Sequence, residues 1–367
     1  MNKTIRAISA AVIVAVWVAL TGFAWFGPSK DISEAERRPL QQMPEISVDT
    51  LLNGKFMGTF EDYTLDQFPL RDTFRTLKSL FSYNVMLRQD NNDIYMEDGY
   101  AAKLEYPLDD VSLTYALNKF NSIYETYLKD SNCSIYMSVI PDKGYYLAEA
   151  NGYPAMDYEK LFQTMAAGMP YAQMIDITES LDITDYYYTD THWRQEKIVE
   201  AAKVLCDAMG AAAPKAEDFT ATPIQRPFYG VYYGQAALPM DPEELFIMRN
   251  SLLETCRVYN YETGRYQKIY DMAKVNGSDP YDVFLSGAQA LLTIENPKAA
   301  TDKELILFRD SFGSSLAPLL VQGYRSVTLV DIRYMNPLLL KDYLTFDGQD
   351  VLFAYSSLIL NSSSSLK

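Results

Sequence analysis

Residues 7–26 form a run of twenty positions without one charged side chain, and Lys3 and Arg6 precede it. A helix of that length crosses the hydrocarbon core of a bilayer, and basic residues ahead of it hold its amino end in the cytosol. A cleaved secretory signal is the competing reading. Such signals have a shorter apolar region and a small-residue exit, whereas this run closes on Phe23-Ala24-Trp25-Phe26, rings that suit a membrane interface. The expectation is an uncleaved anchor over residues 1–27, with a single pass through the cell membrane. The bulk of the chain is then extracytoplasmic. From residue 27 to about 47 the chain is polar and punctuated by Pro28, Pro39 and Pro44, which reads as a stalk. Phe74, Leu77, Phe81 and Val85 then recur at helical spacing behind Asp72, a residue type suited to capping. Stalk and helical segment together occupy residues 28–110.

Beyond residue 110 helical and extended patterns alternate. Leu113, Leu117, Phe120 and Tyr124 mark a helix over 113–128. Residues 134–140 read as a buried strand stopped by Pro141. Residues 305–308, 327–330 and 351–354 are further apolar runs separated by helix-length segments. This predicts an α/β domain over 111–367 with a mainly parallel sheet flanked by helices. In such sheets ligands bind beyond the carboxyl ends of the strands. The apolar share of 48% against 22% charged residues supplies a large core. A net charge of -16 disfavours nucleic acid and broad docking on anionic lipid. The three cysteines, Cys133, Cys206 and Cys256, form no C-x-x-C pair, and His192 is the only histidine. A metal site built on several His or Cys ligands is therefore not expected.

Two stretches carry chemistry. In Asp190-Thr191-His192-Trp193 a carboxylate stands two residues from an imidazole, so it can bond one ring nitrogen and leave the other as a general base. A helix over 194–209 is expected to follow, with Ile198, Ala201, Leu205 and Ala208 as its apolar stripe and Gly210 as its stop. In Phe308-Arg309-Asp310-Ser311-Phe312-Gly313 a strand ends, a serine follows in a tight turn, and a helix begins near Ser314. Pro318 is compatible with that helix in its first turn. A serine so placed exposes its hydroxyl at the sheet edge, where backbone N–H groups and the helix dipole favour an oxyanion. Each stretch also has a plain structural reading: an incidental histidine, and a helix capped by Asp310 or Ser311. Together they supply a nucleophile, a base and an orienting carboxylate, the parts of a Ser-His-Asp triad.

At these motifs the chain resembles the DHHW family of bacterial envelope proteins, which is related to the SGNH-hydrolase-like domains of alginate O-acetyltransferases. The resemblance includes Glu36-Arg37-Arg38-Pro39-Leu40 behind the anchor and Asp66-Gln67-Phe68-Pro69-Leu70-Arg71. It extends to Pro141-Asp142-Lys143 after a core strand and to Val330-Asp331-Ile332-Arg333-Tyr334. Thr191 stands at the family's first histidine, while the Asp-x-His spacing is kept. In Phe284-Leu285-Ser286-Gly287-Ala288-Gln289 the family commonly shows a Gly-Gly-polar stretch, and Ala288 lacks a side-chain donor.

The resemblance implies an SGNH-like three-layer α/β/α domain. It implies Ser311 as nucleophile, His192 as general acid/base and Asp190 as its orienter. Backbone N–H groups of Ser311 and Gly287, or Gln289, would form the oxyanion hole. Trp193 is either a sugar-stacking face or a core aromatic, with core favoured. Lys143 and Arg333 lie at the pocket mouth or in structural ion pairs. The expected activity is O-acyl transfer, with acetyl as the expected group, or ester hydrolysis on a cell-envelope or exported polysaccharide. A membrane acyl-donor protein is a possible partner, and no metal or organic cofactor is required. The alternatives are a catalytically silent polysaccharide-binding or envelope-assembly protein, and a glycosidase using two carboxylates.

Overall fold

The computed structural model describes residues 3–367, which divide into two compact units. The first comprises the chain to Asn92 together with Tyr233–Met240, and the second comprises Asp93–Tyr232 and Asp241–Lys367.

In the first unit the uncharged run forms helix α1, Lys3–Phe26, long and apolar enough to cross a membrane. At 1.5 Å per residue it reaches about 36 Å. Helices α2, Lys55–Asp66, and α3, Arg71–Asn84, follow. Asp72 lies inside the first turn of α3, and the residue ahead of the helix is Leu70, held left-handed at φ 58°. The expected cap is therefore absent. Phe74, Leu77, Phe81 and Val85 are 45, 55, 54 and 60% exposed, so their helical spacing marks an outward stripe instead of a core face.

The two early motif blocks meet here. Both Arg38 Nη atoms donate to the Asp66 carboxylate, at 2.8 and 2.6 Å. Arg71 and Arg75 pair with Glu36 at 2.5 and 3.3 Å. The neighbouring guanidinium groups hold the Asp66 carboxyl below its ordinary value, with the Arg38 hydrogen bond the largest cause.

The second unit is built on an eight-stranded sheet. In chain order its strands are β1 Ser134–Ile140, β2 Gln173–Met174, β3 Arg257–Asn260, β4 Arg265–Gln267, β5 Leu291–Glu295, β6 Glu304–Arg309, β7 Ser326–Val330 and β8 Asp350–Ser356. Across the sheet they run β4-β3-β5-β7-β6-β8-β1-β2. Strands β7, β6, β8, β1 and β2 are parallel, and β5, β3 and β4 extend them antiparallel.

Alternate side chains of each central strand enter opposite cores, the pattern of a sheet covered on both faces. Leu305, Leu307, Leu352 and Ala354 pack on one side with α6, Val199–Ala208, and α7, Phe312–Leu320. Ile306, Phe308, Val351 and Phe353 pack on the other with α4, Asp110–Ile123, and α5, Tyr158–Gly168. This is the three-layer α/β/α class expected from the sequence. The hairpin Ile94–Glu97/Tyr100–Lys103 belongs to this unit, where the Ala101 N–H donates to the Tyr188 carbonyl at 2.8 Å.

The helix expected over 194–209 is broken into a 3-10 turn, Gln195–Lys197, and α6. Helix α7 starts at Phe312, earlier than expected. Pro318 therefore falls well inside it and not in its first turn.

Candidate active site

The loop bearing Asp190 is folded back on itself. Tyr186 and Trp193 bridge antiparallel at its base, and the Tyr187 N–H donates to the His192 carbonyl at 3.1 Å. Glu243 closes one side, accepting from the N–H groups of Tyr188 and Thr189 at 2.6 and 2.7 Å and from the Thr189 hydroxyl at 2.6 Å. Lys143 closes the other, with Nζ donating to the carbonyls of Tyr187 and Tyr188 at 2.9 and 3.3 Å. A half-buried glutamate and a buried lysine thus hold the amide and carbonyl sides of one short segment. Burial pulls the Lys143 ammonium down to about 7, opposed by the charges of Asp190, Glu243 and Asp142. Burial raises the Glu243 carboxyl, opposed by its bonds to Thr189 and Tyr188.

Within this frame Asp190 Oδ1 accepts from His192 Nδ1 at 2.6 Å, and Oδ2 accepts from the Val231 N–H at 2.8 Å. A methyl group on Gly230 would lie 2.3 Å from the Asp190 N, Cα and Cβ atoms, so only glycine permits this approach. His192 Nε2 lies 2.7 Å from Ser311 Oγ. A carboxylate only accepts, so Nδ1 carries the proton and Nε2 is left to accept the serine hydroxyl.

Ser311 occupies the turn between β6 and α7, beyond the carboxyl end of its strand. Its side chain makes no capping bond. Asp310 meets the backbone instead, with Oδ1 accepting from the Phe312 N–H at 3.0 Å and Oδ2 from the Ser356 N–H at 2.8 Å. The serine hydroxyl is thereby left to the imidazole. Gly313 lets α7 start against the strand end, since a Cβ there would lie 2.6 Å from Arg309 Cβ.

The other expected site residues stand elsewhere. Trp193 is fully buried and its indole N–H donates to Ser315 Oγ at 2.9 Å, so it is a core aromatic and no sugar reaches its face. Lys143 is buried under the loop and does not reach a pocket mouth. Arg333 donates to the Asp331 carboxylate at 2.9 and 2.6 Å, a structural ion pair. Behind it buried Arg309 faces Asp331 at 3.4 Å. The Gly287 N–H is donated to the Phe284 carbonyl at 3.1 Å. Gln289 Nε2 is bonded to the Ser286 carbonyl, so neither lies idle for an oxyanion.

Sequence reasoning did not single out Gly230, Val231, Glu243 or Tyr281, whose ring stacks on His192. No local pattern ties these positions to Asp190 or His192. A glycine followed by a β-branched residue is too common to mark a site. Among the described residues no group of three or more His, Cys, Asp and Glu side chains converges to hold a metal. A cleft of about 370 Å³ in the first unit, lined by Glu36, Arg75, Lys78 and Ser79 among others, contains none of the candidate catalytic groups.

Residues 158–330 match the family described as DHHW protein. Among solved structures the chain is similar to a DHHW family protein from Eubacterium siraeum, at 21% identity and TM-score 0.62, covering 75% of this chain and 94% of that one. It is also similar to PatB1 from Bacillus cereus, solved with a sulfonyl adduct, at 18% identity and TM-score 0.59, covering 73% and 95%. A fainter likeness, TM-score 0.47 at 13% identity over 73% and 92%, is to the O-acetyltransferase domain of Pseudomonas putida AlgJ. No curated protein matches the chain.

Proposed function

From a chain whose residues 158–330 place it with the DHHW family, we propose an envelope O-acyltransferase or esterase that moves acetyl groups through Ser311. The observation that carries the proposal is the continuous hydrogen-bonded line from Asp190 through His192 to Ser311, with links of 2.6 and 2.7 Å. Two short bonds in sequence, one to a buried carboxylate, are what a serine needs to become a nucleophile.

Ser311 Oγ attacks the acyl carbonyl carbon and its proton passes to His192 Nε2. Asp190 holds the resulting imidazolium. Charge on the carbonyl oxygen is met by the Ser311 N–H and the amino-terminal dipole of α7. The imidazolium returns its proton to the leaving group, which departs and leaves an acyl-serine. A sugar hydroxyl, or water, then gives its proton to Nε2 and attacks the ester, and Nε2 returns that proton to Ser311 Oγ as the acyl group leaves. The acceptor is a cell-envelope or exported polysaccharide. With α1 as an uncleaved anchor, amino end inside, the second unit stands on the outer side where such polymers are assembled. There a membrane acyl-donor protein would supply the acyl group.

A silent polysaccharide-binding protein of the same fold is favoured by one observation: the N–H of Gly287 and the amide of Gln289 are already bonded, leaving few donors for an oxyanion. Loss of one such donor lowers a rate by about 10²–10³. Slow hydrolysis is tolerable in a transferase, whose oriented acceptor competes with water through proximity. The test uses the full chain in detergent, with 4-nitrophenyl acetate as donor and isolated envelope polysaccharide as acceptor. Weak hydrolysis, stimulation by the polymer and loss of both in Ser311→Ala and His192→Ala are expected. Equal rates and equal polymer acetylation in wild type and Ser311→Ala would leave the binding protein as the reading.

A further inference from the structure

Asp190 and Ser311 hold the His192 imidazole at the two nitrogens on its edge, and a second ring covers its face. The phenol ring of Tyr281 lies against it, with centroids 4.0 Å apart and planes 8° from parallel. Phe312 meets the imidazole at 4.9 Å and a tilt of 55°. Tyr281 is buried in a 3-10 turn, Pro280–Val283, capped by Asp279. Its hydroxyl donates to Ser315 Oγ at 2.8 Å, and Ser315 Oγ also accepts from Trp193 Nε1 at 2.9 Å. The Ser315 hydroxyl proton goes to the Phe312 carbonyl at 3.3 Å, so all three polar groups are satisfied. The far end of the ring is thus tied to α7, the helix whose first turn follows Ser311.

We propose that Tyr281 is a positioning residue for acyl transfer, its π face aligning the His192 ring and stabilising the imidazolium that forms when Ser311 attacks. The inference rests on the reading of Ser311 and His192 given above. A parallel ring at 4.0 Å fixes the tilt of the imidazole, and rotation about its last bond then moves Nδ1 off Asp190 and Nε2 off Ser311 together. The face of a phenol ring also attracts a cation within about 6 Å of its centroid. The positive charge that appears on His192 therefore arises over a surface already suited to it. The charged groups acting on the Tyr281 ring are Asp190, Asp279 and Asp310, and Lys143 lies beneath the loop that carries Asp190 and His192. Substitution of Tyr281 removes none of them.

The test follows inactivation of the full chain in detergent by phenylmethanesulfonyl fluoride across pH 5–9, with the label located by peptide mass. Tyr281→Phe keeps the ring and loses only the bond to Ser315. Tyr281→Leu keeps most of the volume and loses the π face. The neutral imidazole is the reactive base, so the rate rises with pH to a plateau. Without the ring the charged form of the imidazole is less favoured, which brings the variant to its plateau at lower pH. Tyr281→Leu is expected to react about 5- to 30-fold more slowly at the plateau, with its rising limb moved to lower pH by about 0.5–1. Tyr281→Phe is expected to keep the wild-type limb and stay within about threefold of its rate, even where its melting temperature falls. A Leu variant with the wild-type plateau and limb, labelled at Ser311, overturns the role of the ring and leaves the nucleophile standing. Equal displacement in Phe and Leu reduces Tyr281 to packing. No labelling of Ser311 in wild type overturns the parent reading and this inference with it.

Discussion

Gly230 shows how little of a site's support is chemically reactive. Its missing side chain lets the following N–H reach Asp190 Oδ2, and an added methyl would press on the Asp190 backbone. Gly230→Ala is expected to cost roughly 1–3 kcal/mol through overpacking. It should also cut ester turnover at least tenfold by displacing the carboxylate, read as initial rates beside a denaturant melt. Asp190→Asn should lose less than His192→Ala, because the imidazole remains but in the wrong tautomer. Lys143 gives a pH signature. Its folded pKa is lowered from 10.5 to about 7, so between those values the unfolded chain holds a proton that the folded chain does not. Stability from this group therefore rises with pH across that window, by up to about 1.4 kcal/mol per pH unit. Urea unfolding between pH 7 and 10 should show wild type gaining on Lys143→Met, and parallel profiles would contradict the assignment. The residues the structure brings together, Asp190, His192 and Ser311, were legible because their types and immediate neighbours suggest their chemistry. Glu243 and Tyr281 were not, since the chain supplies them from 53 and 89 residues beyond Asp190 and His192 with no local pattern to flag them.

Among the elements, β1, β6, β7 and β8 were visible as largely apolar runs because both of their faces are covered. The antiparallel side was not. Strand β3 reads Arg257-Val258-Tyr259-Asn260, too short and too polar for periodicity to separate it from a turn. Helix α3 is where its apolar spacing puts it, but the charged face is the one turned inward, where Arg71 and Arg75 meet Glu36. That network makes Asp66 a stability determinant of the first unit. Its carboxyl pKa is depressed chiefly by Arg38, so its contribution is present at neutral pH and is lost as pH falls through the folded value. Asp66→Asn should destabilise this unit by about 1–3 kcal/mol at pH 7. The difference should shrink in acid, followed as the rate of proteolytic cleavage within residues 28–92. An unchanged cleavage rate at pH 7 would show the network to be dispensable.

For the molecule as a whole, the proposed reading of α1 as an anchor for an extracytoplasmic acyl-transfer unit predicts that the full-length chain stays with membranes through a high-salt wash. External protease should then reach residues beyond 27. A soluble mature chain beginning near residue 27 would show cleavage instead. The three-layer fold follows from the alternation of helices and apolar strands, whereas the polymer and the acyl donor leave no trace in sequence patterning. What the whole arrangement turns on is whether the contact between His192 and Ser311 makes one serine reactive. Phenylmethanesulfonyl fluoride on the full chain, followed by peptide mass analysis, measures this directly. A stoichiometric sulfonyl adduct on Ser311, slowed at least 100-fold in His192→Ala, is the predicted result. Wild-type protein that remains unlabelled, or a His192→Ala variant labelled as fast as wild type, would contradict it.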